Sequence, residues 1–449
     1  MNHFTPSPHI PAYRGQEWID VPLPVMAEPW PAPTNGLFSI VVDGESETAQ
    51  DDVRRYVANK PWVSPRRTIF FLCDVHADAA AFARSLVASG GVEKTGPRPH
   101  DFALAPAASN AVFVIGGDCF DKGPKNLPLL RTIEALLDKG AEVELLAGNH
   151  DLRALLGLVY AERKDDPLLA HLFVRMGPKS VPLFKEVYDQ YIARSGKAEP
   201  SISADEVRAR LFPDESWYHD FPAVADGLIP APRIRKEVRR IAEKVLQFEE
   251  RCRASGMTLP MVYAAVEKCR ALFLEPDGAF GWFFNQLELG YRAGSYLFIH
   301  AGVDDTTAEL IYGHGVDGLN WHFKRMMADD LFGLYHGPIG NSFRTKYRDI
   351  DWPLSHMGVT DLHRAGIYAI VHGHRNSING QRLMMRRGML NFECDASIDR
   401  NTRRAEGLQG PGGAVTIFKP DGRVLGISTD HPYVKVFDPS TMCRLTTIV

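Results

Sequence analysis

Apolar runs that stop abruptly at glycine, aspartate or histidine recur along this chain. The first is TIFFLCDVH from Thr68, the second AVFVIGGDCFDKGP from Ala111, and the third AEVELLAGNHD from Ala141. Such runs read as buried strands whose C-terminal ends deliver polar side chains. Stretches of helical character follow each run: ADAAAFARSLVASG, LPLLRTIEALLDKG and LRALLGLVYAERK, the last two with apolar residues at helical spacing. Strand alternating with helix predicts a mainly parallel α/β layer, in which ligands bind where strands end and loops begin. The order breaks after Tyr160. From about Lys164 to Gly281 the chain is charged and helical, as in IRKEVRRIAEKVLQFEERCRA and PMVYAAVEKCRALFL, and strands return with YLFIHAG and AGIYAIVHGHR. The tail, AVTIFKPDGRVLGIS then YVKVFD, predicts a hairpin across a Pro-Asp-Gly turn plus one more strand.

These patterns divide the chain into a proline-rich arm and lead-in over residues 1–60, a first half of an α/β core over 61–163, a helical insertion over 164–281, and the second half of the core over 282–449. The insertion reads either as a cap over a site at the strand ends or as a helical brace for the core. Pro22, Pro24, Pro29, Pro31 and Pro33 make the arm an extended segment lying along a folded body.

Composition narrows the function classes. A chain of 449 residues, 45% hydrophobic and 24% charged, can bury a sizeable core. A net charge of -4 gives no global pull toward nucleic acid or an anionic membrane, so any phosphate affinity is local. The six cysteines form no CxxC pair, which fits a reducing cytoplasm, and no signal-like or membrane-spanning apolar stretch is present in the sequence.

Candidate chemistry gathers at the strand ends. Asp74 and His76 stand two residues apart in DVH, Asp118 follows two glycines, Asn149 and His150 follow Gly148, His300 ends a fourth run and His374 a fifth. Oxygen and imidazole donors converging from separate segments suit a hard or borderline divalent metal, and two adjacent metals need a carboxylate that bridges them.

Read in order, DVH, GDCFDKG, GNHD, IHAG and HGHR resemble the calcineurin-like metallophosphoesterase superfamily, and GDCFDKG is particularly similar to the GDxxDRG motif of its phosphoprotein phosphatase branch. The resemblance covers residues 67 to about 160 and 295 to about 400. It implies a four-layer α/β/β/α sandwich carrying a helical insertion, and two divalent ions of manganese, iron or zinc. Asp74, His76 and Asp118 would hold one ion; Asp118 would bridge to a second completed by Asn149, His300 and His374. His150, oriented by Asp121, would face the leaving-group oxygen rather than a metal. Lys122 stands where the branch has a phosphate-contacting arginine, and a lysine offers a point charge in place of a bidentate fork. The segment around Arg344 and Arg348 falls where the branch places a second phosphate-binding arginine, and reads otherwise as a solvated face. His372 stays open between a ligand and a structural role, and Asp78 is a helix cap. The implied activity is hydrolysis of phosphate monoesters, with phosphoprotein as the first choice of substrate and a bis-nucleoside tetraphosphate as the second. The rival from another class is a catalytically silent metal-binding scaffold. No nucleic acid or membrane partner is indicated.

Overall fold

The computed structural model describes residues 10–30, 40–42, 49–195 and 201–443 of the chain. Pro31 and Pro33 of the arm lie outside the described residues.

Two sheets face each other. The larger has eight strands in the order Ala27–Pro29, Val434–Phe437, Val424–Ser428, Ala414–Phe418, Thr68–Leu72, Ala111–Ile115, Val143–Leu146 and Leu287–Glu288. The smaller has six, in the order Ile40–Val42, Arg382–Arg386, Met389–Glu393, Ala369–His372, Tyr296–Ile299 and Gly290–Ala293. In the larger sheet the four strands from Thr68 onward run parallel, and the three C-terminal strands are antiparallel to one another.

Side-chain alternation sorts each strand between two cores. Ile69, Phe71, Val112 and Val114 enter the space between the sheets, where they meet Tyr296, Phe298, Val371 and Phe392 from the opposite face. Phe298 is the hub, its ring 5.6 Å from Phe71 and 4.9 Å from Phe418. Trp30 of the arm, 1% exposed, is sealed into the same core directly after the strand Ala27–Pro29 pairs with Val434–Val436. Phe70, Leu72, Phe113 and Ile115 point the other way, under the helices Ala79–Ser89 and Asn126–Asp138. Leu297, Ile299 and Ile370 do the same for the smaller sheet, under the helices Asp305–Asp329 and His356–Arg364. The result is helices, sheet, sheet, helices: the four-layer α/β/β/α sandwich.

Between the strands ending at Leu146 and beginning at Leu287 the described chain is helical, with long members at Ala231–Ala254 and Leu259–Phe273. This segment is seated on the core. Phe273 and Phe284 pack on Phe120, which directly precedes Asp121 in the second motif's loop, at ring distances of 5.6 and 5.8 Å. Asp78 caps the helix that follows it, accepting from the Ala81 amide. The tail forms its hairpin across Gly422. The hairpin joining Arg382–Arg386 to Met389–Glu393 lies outside the sequence expectation, because Arg382 and Arg386 turn onto Glu393, which is fully buried, and so break the apolar alternation. Among the described residues no helix is long and apolar enough to cross a membrane.

Candidate metal centre

Register places the site. Leu72 pairs with Ile115 and Ile115 with Leu145, so the loops carrying Asp74, Asp118 and Asn149 leave one edge of the larger sheet side by side. In the smaller sheet Phe298 pairs with Val371, which sets the loops of His300 and His374 next to each other. Backbone bonds stitch the loops together: the His76 amide donates to the Asp118 carbonyl at 2.9 Å and the Gly373 amide to the His300 carbonyl at 2.9 Å. The approach is too close for a side chain at Gly148 or Gly373, where a Cβ would lie 2.3 Å from Asp118 Oδ1 or 1.9 Å from Asp74 Oδ2.

The backbone is also strained here. Of eleven described non-glycine residues with positive φ, six are Asp74, His76, Asp118, Asp121, Lys122 and His374. Left-handed backbone costs about 1–3 kcal/mol at a non-glycine residue and persists where the surrounding structure enforces it. Much of that enforcement comes from Asp151, whose fully buried carboxylate accepts from the amides of Asp118, Cys119, Phe120 and Gly148. It was given no role in the sequence, where it reads as the last letter of GNHD.

Two groups of side chains could hold a metal: Asp74, His76 and Asp118, and Asp118, His300 and His374. Asp118 turns one oxygen to each. Its Oδ2 is 3.7 Å from His76 Nε2, and its Oδ1 is 3.4 Å from His300 Nε2; His76 Nε2 lies 3.8 Å from Asp74 Oδ1. Ligands about 2.1 Å from a shared ion stand about 3–3.5 Å apart, so the spacing suits metal binding with small adjustment. The second ring nitrogen of each histidine is anchored, His300 Nδ1 on the Gly116 carbonyl and His76 Nδ1 on the Phe120 carbonyl, which turns Nε2 toward the centre, free in His300 and met by Lys122 Nζ in His76. Buried Asp74 Oδ1, His300 Nε2 and His374 Nε2 have no hydrogen-bond partner among the described residues. Burial, together with the neighbouring Asp395 and Asp118 carboxylates, pushes Asp74 well above the usual carboxylate range, a repulsion that a bound cation relieves. On these observations the residues fit divalent ions.

The other expected residues fall in several places. One end of the Asn149 amide is 2.8 Å from His374 Nδ1 and the other reaches the Arg153 guanidinium at 3.0 Å. His150 Nδ1 pairs with Asp121 Oδ2 at 2.7 Å, and its Nε2 faces the centre, 4.0 Å from Asp118 Oδ2. Burial holds this imidazole well below its ordinary value and pushes Asp121 up to about 6, against the opposing charges of Arg153, Lys179 and Lys244. Lys122 Nζ lies 2.6 Å from His76 Nε2, inside the first group. Arg344 is turned away into a buried cluster, donating to the His336 carbonyl and stacking on Tyr335. Arg348 is an exposed partner of Asp351. Between them Lys346, unassigned in the sequence, shares its field with His374 and Lys122. His372 is buried, with Nδ1 on the Gly373 carbonyl and Nε2 4.0 Å from Glu393, outside both metal groups.

The helical segment reaches the site through hydrogen bonds that no sequence motif marks. Glu186, from the helix Val181–Val187, accepts from the Asn126 amide, the Asn126 side chain and the Leu127 amide. Asn126 Oδ1 in turn accepts from the Asp121 amide at 3.1 Å. Asp121 holds His150.

The calcineurin-like phosphoesterase family model matches residues 67–238, a stretch that opens with the first core strand and carries Asp74 through Asn149. Among solved structures, the chain is similar to a cold-active protein-tyrosine phosphatase of a psychrophilic Shewanella species, at 14% identity and a TM-score of 0.42 over 85% of this chain and 84% of that one. It is also similar to a protein serine/threonine phosphatase from Saccharomyces cerevisiae, at 12% identity and a TM-score of 0.35 over 86% and 87%. No curated protein matches the chain.

Proposed function

We propose that this chain, whose residues 67–238 match the calcineurin-like phosphoesterase family model, is a phosphatase that hydrolyses phosphate monoesters, with phosphorylated serine, threonine or tyrosine of proteins as its substrate class. The observation that carries the reading is the Asp118 carboxylate shared between two ligand groups, with the His150–Asp121 pair beside it. Asp74, His76 and Asp118 would hold one divalent ion, and Asp118, Asn149, His300 and His374 a second. When bound, such ions supply Lewis-acid stabilisation of the charge that grows on the phosphoryl oxygens.

The remaining work falls to side chains. His150 has one nitrogen fixed on Asp121 and the other turned to the centre; burial disfavours its charged form, so it acts as general acid toward the departing oxygen through the imidazolium, which the Asp121 and Asp118 carboxylates favour. Asp121 sets the tautomer and the ring plane. Lys122, whose Nζ stands at His76 Nε2, would turn from there to the phosphoryl oxygens once an ion fills the first group, and Arg153 holds the Asn149 amide.

Lys179 and Lys244 act on Asp121 from the helical side, but burial lowers both amines, Lys244 to about 6, and Lys244 is spent on the Arg175 carbonyl. The second reading is a bis-nucleoside tetraphosphate. Phosphopeptides and a dinucleoside tetraphosphate assayed side by side with manganese separate the two. The general-acid role is tested by His150→Gln, which keeps every proposed ligand. We expect its metal content to equal wild type and its turnover of alkyl phosphates to fall roughly 10²–10⁴-fold, with a smaller loss on aryl phosphates whose leaving oxygen needs no proton. Metal lost in step with activity would mean that His150 is a ligand.

A further inference from the structure

A cavity of about 450 Å³ opens on the flank of the metal centre. It is lined by four arginines, Arg84, Arg400, Arg403 and Arg404, against two aspartates, Asp20 and Asp78. Two of the arginines are consumed by the fold. Arg84 is held by both oxygens of Asp20 and by the Gly412 carbonyl. Arg403 is held by both oxygens of Asp430 and by the carbonyls of Gln409 and Gly410. Asp78 is consumed as well, its two oxygens accepting from the amides of Ala81 and Arg400.

Arg400 and Arg404 remain. They stand one helical turn apart on the helix Arg400–Glu406, both exposed, and neither side chain makes a hydrogen bond or ion pair with the described residues. Asp20, whose field Arg400 shares, is already committed to Arg84. The cavity therefore presents two spare guanidinium forks, the group best shaped to take a carboxylate or phosphate through two parallel hydrogen bonds.

Its position relates it to the reaction. Asp78 is two residues beyond His76, and the Asn401 side chain donates to the Lys122 carbonyl, so the arginine helix rests on the loop that carries Lys122. A substrate whose phosphate lies at the centre would extend its next groups across this flank. The lining contains no aromatic side chain, and so offers no stacking platform for a nucleobase. We propose that this cavity is a subsite for an acidic side chain of a phosphopeptide, read by Arg400 and Arg404. The protein thereby prefers phosphorylated residues with Asp or Glu nearby in sequence. This inference rests on the phosphomonoesterase reading above.

The test uses the full-length protein and an Arg400→Gln/Arg404→Gln double variant; both side chains are exposed, so the variant should fold. Fluorescent peptides carrying a non-hydrolysable phosphonate in place of the phosphate, flanked by Glu or by Gln, are titrated by anisotropy, and the matching phosphopeptides are assayed for cleavage. Wild type should favour the Glu peptide roughly tenfold in both readouts, the yield of one charge-assisted contact in a partly solvated cavity, and the double variant should show no more than about a twofold preference. Turnover of a small aryl phosphate should be the same in both proteins. Equal affinity of wild type for the two peptides overturns the subsite. So does competition by a dinucleoside tetraphosphate that the double variant loses while the peptides bind alike, which would assign the arginines to polyphosphate. Failure of wild type to hydrolyse any aryl phosphate or phosphopeptide with manganese would instead refute the phosphatase reading, and the anisotropy titration still decides the subsite.

Discussion

Replacing Glu186 by glutamine tests whether the helical segment belongs to the catalytic apparatus. The carboxylate takes three hydrogen bonds at the N-terminus of the helix Asn126–Asp138. Glutamine keeps one oxygen and turns an NH₂ toward a backbone N–H, so one bond to a charged acceptor is lost and two donors face each other. A bond to a charged group contributes about 1.5–3 kcal/mol, and a negative charge at a helix N-terminus a further 0.3–1 kcal/mol or so. The expected cost is about 2–3 kcal/mol, read as a lowered midpoint in guanidinium unfolding. The functional consequence passes through Asn126 to the Asp121 amide and so to His150. If that chain of bonds sets the imidazole, the folded variant should turn over alkyl phosphates roughly 10- to 100-fold more slowly, the scale of an ångström misplacement. Aryl phosphates with acidic leaving groups should be nearly unaffected, and metal content should be unchanged. A folded variant that slows both substrates equally, or neither, would refute the reasoning and leave Glu186 as a helix cap.

The other outcomes are simpler to read. Burial alone would raise Glu237, yet Arg175 at 2.6 Å and His171 at 3.7 Å hold it down to about 2. A depressed carboxylate stabilises above its unfolded value near 4.5, so up to about 3 kcal/mol should vanish as pH falls from 4.5 toward 2, and the stability gap between wild type and Glu237→Gln in urea titrations should shrink over that window. Added manganese should raise the melting temperature of wild type and leave that of Asp118→Ala nearly unchanged, because ligands that bind only the folded state stabilise it by mass action; equal shifts would show that Asp118 is not shared between ions. Phe298→Ala, which empties the hub between the sheets, should cost about 3–5 kcal/mol in thermal unfolding without changing metal content.

The layers of the fold were legible because buried parallel strands are written as continuous apolar runs, and the candidate centre because each run ends on the residues that converge. What stayed hidden is polar and supportive. Asp151 and Glu186 serve backbone amides, and nothing in sequence separates such a carboxylate from a solvated one. Arg153 lies one turn beyond Asn149 on the helix Asn149–Val159 and reads as surface charge, although it is half-buried and donates to the Tyr335 hydroxyl. The basic run from Arg344 to Arg348 reads as a single cluster in the sequence, whereas the chain turns Arg344 inward and pairs Arg348 with Asp351. The strands around Arg386 and Glu393 were missed because an internal ion pair imitates an exposed edge.

The strand Thr68–Leu72 sits at the middle of its sheet, yet one of its two neighbours, Ala414–Phe418, lies about 340 residues further along the chain. On a ribosome adding about 5–20 residues per second, that edge waits on the order of 20–70 s for its partner. Until then it offers unpaired amides and carbonyls beside apolar residues, the template on which nascent chains associate wrongly. The N-terminal strand Ala27–Pro29 waits longer still, for Val434–Val436. Closure of the larger sheet therefore waits on strands made hundreds of residues later, and yield in a heterologous host should depend on chaperone supply and growth temperature more than on any single contact in the finished molecule.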